Sequence, residues 1–177
     1  MDQLRLFRNL IEQAEQVWTQ IAKSPRGKPV YTVNGVDYAP LPERYNTRRK
    51  ISRIFRRYWG AKLSEAMIRN LQLRLVKGKW CVPYRLIPPL PMKVHSLRWK
   101  RNTPNQKVLA AILTGGNKKV TVDYRLVRSG TSAAFQIVKR SGRERDLRYR
   151  PPGTTRPKAK AGSKTRQRTG KRLLKAP

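Results

Sequence analysis

The Asn34–Gly35 dipeptide is the local feature that most constrains the fold of this 177-residue chain. It lies between two short runs of apolar, β-branched and aromatic residues, at 30–33 and 36–38. An Asn-Gly pair supplies the two positive φ angles of a type I′ turn, and the twist of that turn matches antiparallel strands. The sequence therefore predicts a β-hairpin here, which the prolines at 40 and 42 end.

The N-terminal segment has the clearest helical periodicity. Apolar residues recur at alternating steps of three and four from Leu4 to Ile21, which predicts an amphipathic helix ended by Ser24-Pro25. Packing of this stripe on the protein's own core is the favoured interpretation. A coiled-coil seam with a second chain is the alternative, although sustained coiled coils need more than three heptads.

Two further helices are predicted in the middle of the chain. The first begins at Asn46 or Thr47, either of which is a suitable N-cap, and ends at Gly60. The second covers 64–77, with Gly78 as its stop signal.

The remaining body alternates between extended and helical predictions. Residues 80–91 are rich in proline, which favours an extended run across a surface. A Thr-Pro start predicts a short helix over 103–114. Strict alternation over 119–126 and a second apolar run over 133–138 predict another β-hairpin.

These patterns predict an α+β fold: a small globular body of about four helices with two β-hairpins, a Pro-rich extended segment and a disordered basic C-terminal tail. The expected organisation is an N-terminal amphipathic helix (1–26), an α+β nucleic-acid-binding body (27–150) and a basic flexible tail (151–177). The tail has nine Lys or Arg, no acidic residue and no aromatic residue, so it cannot bury a core.

The charge of the chain indicates its class of partner. The chain has 42 Lys and Arg and nine Asp and Glu, which gives a net charge of +33. Because so many like charges repel one another, this balance favours a polyanionic partner. Arginine exceeds lysine, 25 to 17, and its planar fork suits bidentate phosphate contacts and base stacking. Nucleic acid is therefore the predicted partner, with RNA favoured over DNA.

The sharpest candidate interface lies in the second predicted helix, where no acidic residue occurs between Glu43 and Glu65. If the apolar stripe of that helix is buried, its cations form a ridge that can follow a phosphate backbone. The aromatic pair Tyr58 and Trp59 could stack on bases, but their helical spacing favours the core. The ridge residues are Arg48, Arg49, Lys50, Arg53, Arg56 and Arg57.

Other predicted phosphate contacts are spread along the chain, as expected of a protein embedded in nucleic acid and contacted on several sides. Those in the body are Arg98, Lys100, Arg101, Lys118, Lys119, Lys139, Arg140, Arg143, Arg145, Arg148 and Arg150. Those in the tail are Arg156, Lys158, Lys160, Lys164, Arg166, Arg168, Lys171 and Arg172, which could also serve as a localisation signal.

The sequence offers little for catalysis. One Cys and one His (Cys81 and His95) cannot form a disulfide or a Cys/His zinc site, and the closely spaced acidic pair Glu144 and Asp146 sits among arginines, where salt bridges are the plain interpretation. We therefore expect no enzyme activity, metal or cofactor. No apolar run is long enough to span a membrane, and the N-terminus resembles neither a secretory signal nor a transit peptide, so the expected location is intracellular, within a nucleic-acid-rich particle.

The leading hypothesis is a non-catalytic, RNA-binding architectural subunit of a large ribonucleoprotein of ribosomal type, in contact with other protein subunits, for which the N-terminal helix is the candidate contact. One alternative is a virus or phage structural protein, or a chromatin-like packager, that contacts packaged genome. Another is a DNA-binding adaptor or regulator, because two helices over 51–77 with a following wing over 79–87 loosely resemble a helix-turn-helix.

Overall fold

The computed structural model describes residues 3–25, 31–128 and 134–152. These residues form three α-helices and eight strands, and the strands form two four-stranded antiparallel sheets. The predicted body of about four helices with two β-hairpins is therefore wrong. One predicted helix is a strand, another is helical over only the first half of its predicted span, and each predicted hairpin is part of a four-stranded sheet.

The helices are α1 (Gln3–Ala22), α2 (Arg48–Arg56) and α3 (Ala61–Asn70). The first sheet has the order β1-β2-β4-β3 and consists of β1 (Tyr31–Val33), β2 (Val36–Pro40), β3 (Arg74–Val76) and β4 (Lys79–Pro83). The second sheet is a meander of β5 (Lys93–Asn102), β6 (Gln106–Gly115), β7 (Lys118–Arg128) and β8 (Phe135–Arg140). Single 3₁₀ turns occur at Glu43–Tyr45 and Arg143–Arg145.

The hairpin at Asn34–Gly35 is confirmed. The φ angles of these two residues are 51° and 73°, and β1 pairs with β2 directly across the turn. Both central residues thus adopt the left-handed conformation that the type I′ turn requires, which asparagine and glycine tolerate better than other residues.

The predicted N-terminal helix is also confirmed, and its apolar stripe packs on the protein's own core. Phe7, Ile11 and Trp18 are buried, in a core cluster that α2, α3 and the inner face of the second sheet share. The Trp18 indole N–H donates to the Met67 carbonyl of α3 at 3.1 Å. The apolar stripe of α1 therefore stabilises this fold directly.

The helix predicted over 64–77 begins earlier and ends earlier than expected. Gly60 is the N-cap residue of α3 and not the C-cap of α2, and α3 ends at Asn70. The next residues form a second tight hairpin, with φ angles of 47° at Lys77 and 74° at Gly78. The glycine that the sequence suggested as a helix stop is therefore a turn residue between β3 and β4.

The short helix predicted over 103–114 is wrong, because most of this segment is the interior strand β6. Alternate residues Leu109, Ala111 and Leu113 are buried against the helices. Because β6 is paired on both sides, its sequence is a nearly continuous apolar run, and such a run does not distinguish a helix from a buried strand. No strand was predicted for the segment that forms β5, which pairs with one edge of β6.

The hairpin predicted over 119–126 and 133–138 is confirmed as β7 and β8, although the connecting residues 129–133 lie outside the described part of the chain. Residues 84–92 run from the first sheet to the second without helix or strand, as the prolines indicated. We call this segment the proline strap. Leu90 and Pro91 are its buried residues.

Candidate nucleic-acid interface

Helix α2 presents a stripe of arginines on a buried base. Thr47 caps the helix, and its hydroxyl accepts a hydrogen bond from the backbone N–H of Lys50 at 3.2 Å. Ile51 and Phe55 are fully buried in the core. The residues Arg49, Arg53 and Arg56 lie at i, i+4 and i+7, share one face of the helix, and are exposed.

The cations of α2 are free of carboxylate partners. Among the described residues, none of the six predicted ridge residues forms an ion pair. The Lys50 ammonium instead donates to the Glu43 carbonyl and to the Asn46 side chain, each at 2.9 Å, so it is held against the start of the helix. We call the six residues the α2 ridge.

The aromatic residues that follow α2 fix it to the core. Trp59 is fully buried, and its indole N–H donates to the Ala14 carbonyl of α1 at 3.1 Å. The Tyr58 hydroxyl donates to the Gln13 side chain at 3.3 Å. These contacts are those of core and support residues, so the structure gives neither ring a place in a base-stacking surface.

A second cationic surface lies on the outer face of the second sheet. The strand register places Arg101, Arg125 and Lys139 in one row, since Arg101 and Arg125 both lie opposite Val108 of β6 and Lys139 lies opposite Arg125. Arg98 and Lys100 are exposed on the same edge strand, and the Lys100 ammonium lies 2.6 Å from the Asp123 carboxylate.

Arg125 was not among the predicted phosphate contacts, because it stands alone between apolar residues. The signal that could have found it is the strict alternation of β7, which places Lys119, Thr121, Asp123 and Arg125 on one face. We call Arg98, Lys100, Arg101, Lys119, Arg125 and Lys139 the sheet surface.

Arg140 and Arg148, both predicted phosphate contacts, belong instead to a buried ionic network. Arg148 is fully buried and Arg140 nearly so. The Arg140 Nε donates to a Glu15 carboxylate oxygen at 2.8 Å, and an Arg148 guanidinium nitrogen lies 2.8 Å from the other. Asp146 accepts from both arginines, at 3.2 and 2.7 Å. These two arginines are therefore not part of the candidate interface.

The network is closed by two buried phenols. The Tyr124 and Tyr149 hydroxyls both donate to Glu15, the latter at 3.0 Å. Burial is the main cause that raises the pKa of each tyrosine well above its usual range, and the charge of Glu15 adds to it. Burial alone would lower the pKa of Arg140, but Glu15 and the tyrosines raise it overall. Two arginines thus match two carboxylates, as a buried charge requires.

The remaining predicted residues lie in three places. Lys118, Arg145 and Arg150 surround a cavity beside the proline strap, together with Lys119. The half-buried Arg143 donates from Nε to the Tyr149 carbonyl at 3.4 Å. The predicted tail residues from Arg156 to Arg172 lie outside the described part of the chain.

The structure has the order of elements that the helix-turn-helix hypothesis requires, but the second helix has a poor surface for contacting DNA bases. α2 and α3 are consecutive, and the β3–β4 hairpin follows them. However, α3 buries Leu63, Ser64, Ala66, Met67 and Ile68, and its exposed face mixes Lys62 and Arg69 with Glu65. A recognition helix needs an exposed face that reaches base edges.

The single cysteine and histidine take no part in either surface. Cys81 is buried, and burial raises the pKa of its thiol. His95 is exposed on β5. In residues 3–25, 31–128 and 134–152, no group of three or more His, Cys, Asp or Glu could hold a metal ion. No helix in the same ranges is long and apolar enough to cross a membrane.

No model of a protein family matches this chain, and no curated protein matches it significantly.

Proposed function

We propose that this chain is a non-catalytic nucleic-acid-binding protein, with RNA as its favoured ligand, and that it is an architectural subunit of a large ribonucleoprotein. The observation that carries the proposal is the α2 ridge, where exposed cations without carboxylate partners stand on a helix anchored in the core.

The dimensions of the ridge suit a phosphate backbone. Arg49 and Arg56 are seven residues apart, so about 10 Å of helix axis separates them at ~1.5 Å per residue. A nucleic-acid duplex carries one phosphate per ~1.7 Å of its axis, so several phosphates lie within that span. Because the helix is capped and its base is buried, its backbone would lose little conformational freedom on binding.

The sheet surface supports the preference for folded RNA. Both it and the α2 ridge project away from the same core, from different elements of the fold, so one protein could contact separate strands of a folded molecule. The arginines on both surfaces suit bidentate phosphate contacts and stacking on unpaired bases, which folded RNA exposes and duplex DNA does not.

The first test replaces Arg49, Arg53 and Arg56 by Glu and measures affinity for a folded RNA and for duplex DNA across a salt series. We expect binding to be lost, with the far-ultraviolet circular dichroism near wild type because the three side chains are exposed. The matched control places the same charge change, Arg74→Glu, Lys77→Glu and Lys79→Glu, on the β3–β4 hairpin.

The control should retain most of the affinity. Equal losses in both variants would mean that total charge governs binding, and wild-type affinity in the α2 variant would contradict the proposal. Heparin and poly-glutamate serve as competitors, and displacement of RNA by them at equal charge concentration would argue for a polyanion binder of another class.

Native isolation at low salt addresses the assembly. Co-purifying nucleic acid is digested separately with RNase and DNase, and both samples are sized. Disruption of one discrete large particle by RNase supports the ribonucleoprotein subunit. Sensitivity to DNase alone, or self-assembly that survives both enzymes, would favour genome packaging instead.

A further inference from the structure

A cavity of about 470 Å³ lies between the proline strap, the first half of β7 and the segment that follows β8. Its volume falls within the range of small-molecule sites in proteins. Pro88, Leu90 and Pro91 form one wall, and Val120 and Leu147 contribute to the others. The cavity therefore offers apolar surface over most of its lining.

Apart from Asp146 and Arg140, which belong to the buried ionic network, the charged residues that line this cavity are all cationic. Lys118, Lys119, Arg145 and Arg150 line it, and none forms an ion pair within the described residues. The lining carboxylate, Asp146, is already bonded to Arg140 and Arg148. Four free cations beside apolar walls favour a ligand with a doubly charged anionic group on a less polar body.

One cationic residue of the lining has an unsatisfied donor. The Nε of Arg150 is buried and has no hydrogen-bond partner among the described residues. Buried donors are normally satisfied, and an unsatisfied one is costly. A phosphate oxygen is a strong acceptor for a guanidinium donor.

The walls of the cavity are held in place before any ligand arrives. The Arg148 guanidinium donates to the Pro91 carbonyl at 3.3 Å, and the Met92 N–H donates to the Thr114 carbonyl at 3.0 Å. A Cβ atom on Gly115 would lie 2.0 Å from the Leu90 carbonyl oxygen, so only glycine permits the strap to lie this close to the β6–β7 turn.

The opposite wall is fixed by α3. The Asn70 side chain donates to the carbonyls of Arg148 and Arg150, at 3.0 and 3.1 Å. A site whose two walls are both tied to the core is preorganised, so a ligand would bind there with little ordering cost.

We propose that this cavity binds a single nucleoside monophosphate unit, with the phosphate on the surrounding cations and the base and sugar against the apolar wall. The inference rests on the proposed function, for which it names a nucleotide subsite separate from the α2 ridge. The unit would be either a free mononucleotide or an unpaired nucleotide of a bound RNA.

The test is titration of the full chain with uridine and adenosine monophosphates, with the matching nucleosides and inorganic phosphate as half-ligands. We expect a nucleotide to bind at least tenfold more tightly than either half. Val120→Trp should fill the cavity, and Lys118→Glu with Lys119→Glu should reverse its charge; each should weaken nucleotide binding at least tenfold. Lys77→Glu with Lys79→Glu, on the other sheet, is the charge-matched control.

The surface double variant keeps the test decisive if Val120→Trp does not fold. Equal affinity for phosphate and nucleotide would contradict a nucleotide subsite, and so would nucleotide binding that Val120→Trp leaves intact in a folded protein. An RNA with an unpaired end that competes with the mononucleotide identifies RNA as the source of the unit, and failure to compete identifies the free nucleotide.

Failure of this inference can be distinguished from failure of the proposed function. RNA binding that depends on the α2 ridge, without mononucleotide binding, overturns only the subsite. Mononucleotide binding without any RNA binding overturns the ribonucleoprotein role and leaves the cavity assignment in place.

Discussion

The arginines of α2 and those at and after the end of β8 both come from strongly basic segments of the chain, yet their environments are opposite. Arg49 and Arg53 are exposed and have no carboxylate partner within the described part of the chain, whereas Arg140 and Arg148 are buried and share Glu15 and Asp146. The difference is one of partners, because a charge leaves water only where an opposite charge and hydrogen bonds compensate it.

The partner that decides the fate of Arg140 and Arg148 is distant in sequence. Glu15 lies on α1, 125 and 133 residues from the two arginines. Two acidic residues near the arginines, Glu144 and Asp146, indicate local salt bridges. The helical spacing places Glu15 beside Ile11 and Trp18 on the apolar face of α1, but nothing in the sequence indicates which cations it meets there. A basic cluster is thus a surface only if the rest of the fold supplies no carboxylate beneath it.

The largest expected effect comes from Glu15→Ala. The change leaves two buried guanidiniums with only Asp146 to compensate them, and breaking a buried pair in this way costs about 3–5 kcal/mol. Urea denaturation measures the free energy of unfolding. Glu65→Ala on the exposed face of α3 is the control, at no more than about 0.5 kcal/mol. A loss below about 1 kcal/mol for Glu15→Ala would show that the network is solvated in solution.

Asp146→Asn should have a smaller, pH-dependent effect. Burial alone would raise the pKa of Asp146, but the hydrogen bonds and charge of Arg148, together with Arg140, hold it below its ordinary value. A lowered pKa stabilises the fold above the ordinary aspartate pKa, about 3.9, and that contribution is lost as pH falls toward the lowered value.

The cost of Asp146→Asn should therefore be about 2 kcal/mol at pH 7, typical of a charged hydrogen bond, and should shrink by pH 3. Denaturation of both proteins at several pH values gives the difference directly. A cost that stays constant between pH 7 and pH 3 would mean that the charge of Asp146 contributes nothing.

Removal of 151–177 should lower the affinity for nucleic acid and flatten its salt dependence. The segment carries nine cations, and each lost phosphate contact lowers the slope of log K against log salt by about 0.7 for single strands or about 0.9 for duplex DNA. Binding titrations at salt concentrations from about 50 to about 200 mM measure the slope. An unchanged slope would assign the tail another role, such as localisation.

The smallest expected effect, Arg53→Gln, tests the exposed side of the comparison. The free energy of unfolding should change by no more than about 0.5 kcal/mol, because the side chain is exposed and unpaired. The slope of log K against log salt should fall by the contribution of one phosphate contact, about 0.7 to about 0.9. Arg148→Gln is the counterpart: it should destabilise the protein and leave the salt slope of the folded fraction unchanged. A reduced slope in Arg148→Gln would place that residue at the interface after all.

Local patterns predicted the elements whose periodicity is unambiguous. The Asn34–Gly35 turn, the stripe of α1, the capped start of α2 and the alternation of β7 each reflect interactions within a few residues. The failures have a common cause. The apolar run of β6 has no clear period because the strand is paired on both edges. The roles of Gly60, which is the N-cap of α3, and of Gly78, which lies in the β3–β4 turn, depend on how neighbouring elements meet.

The sequence by itself determined the excess of charge, the stripe of arginines on α2 and the apolar faces that form the core, since all three follow from residue type and spacing. Only the tertiary structure decided which arginines reach solvent, which side chains share the outer face of the second sheet, and that the proline strap encloses a cavity. Those properties depend on contacts between residues far apart in the chain, whose geometry no local pattern encodes.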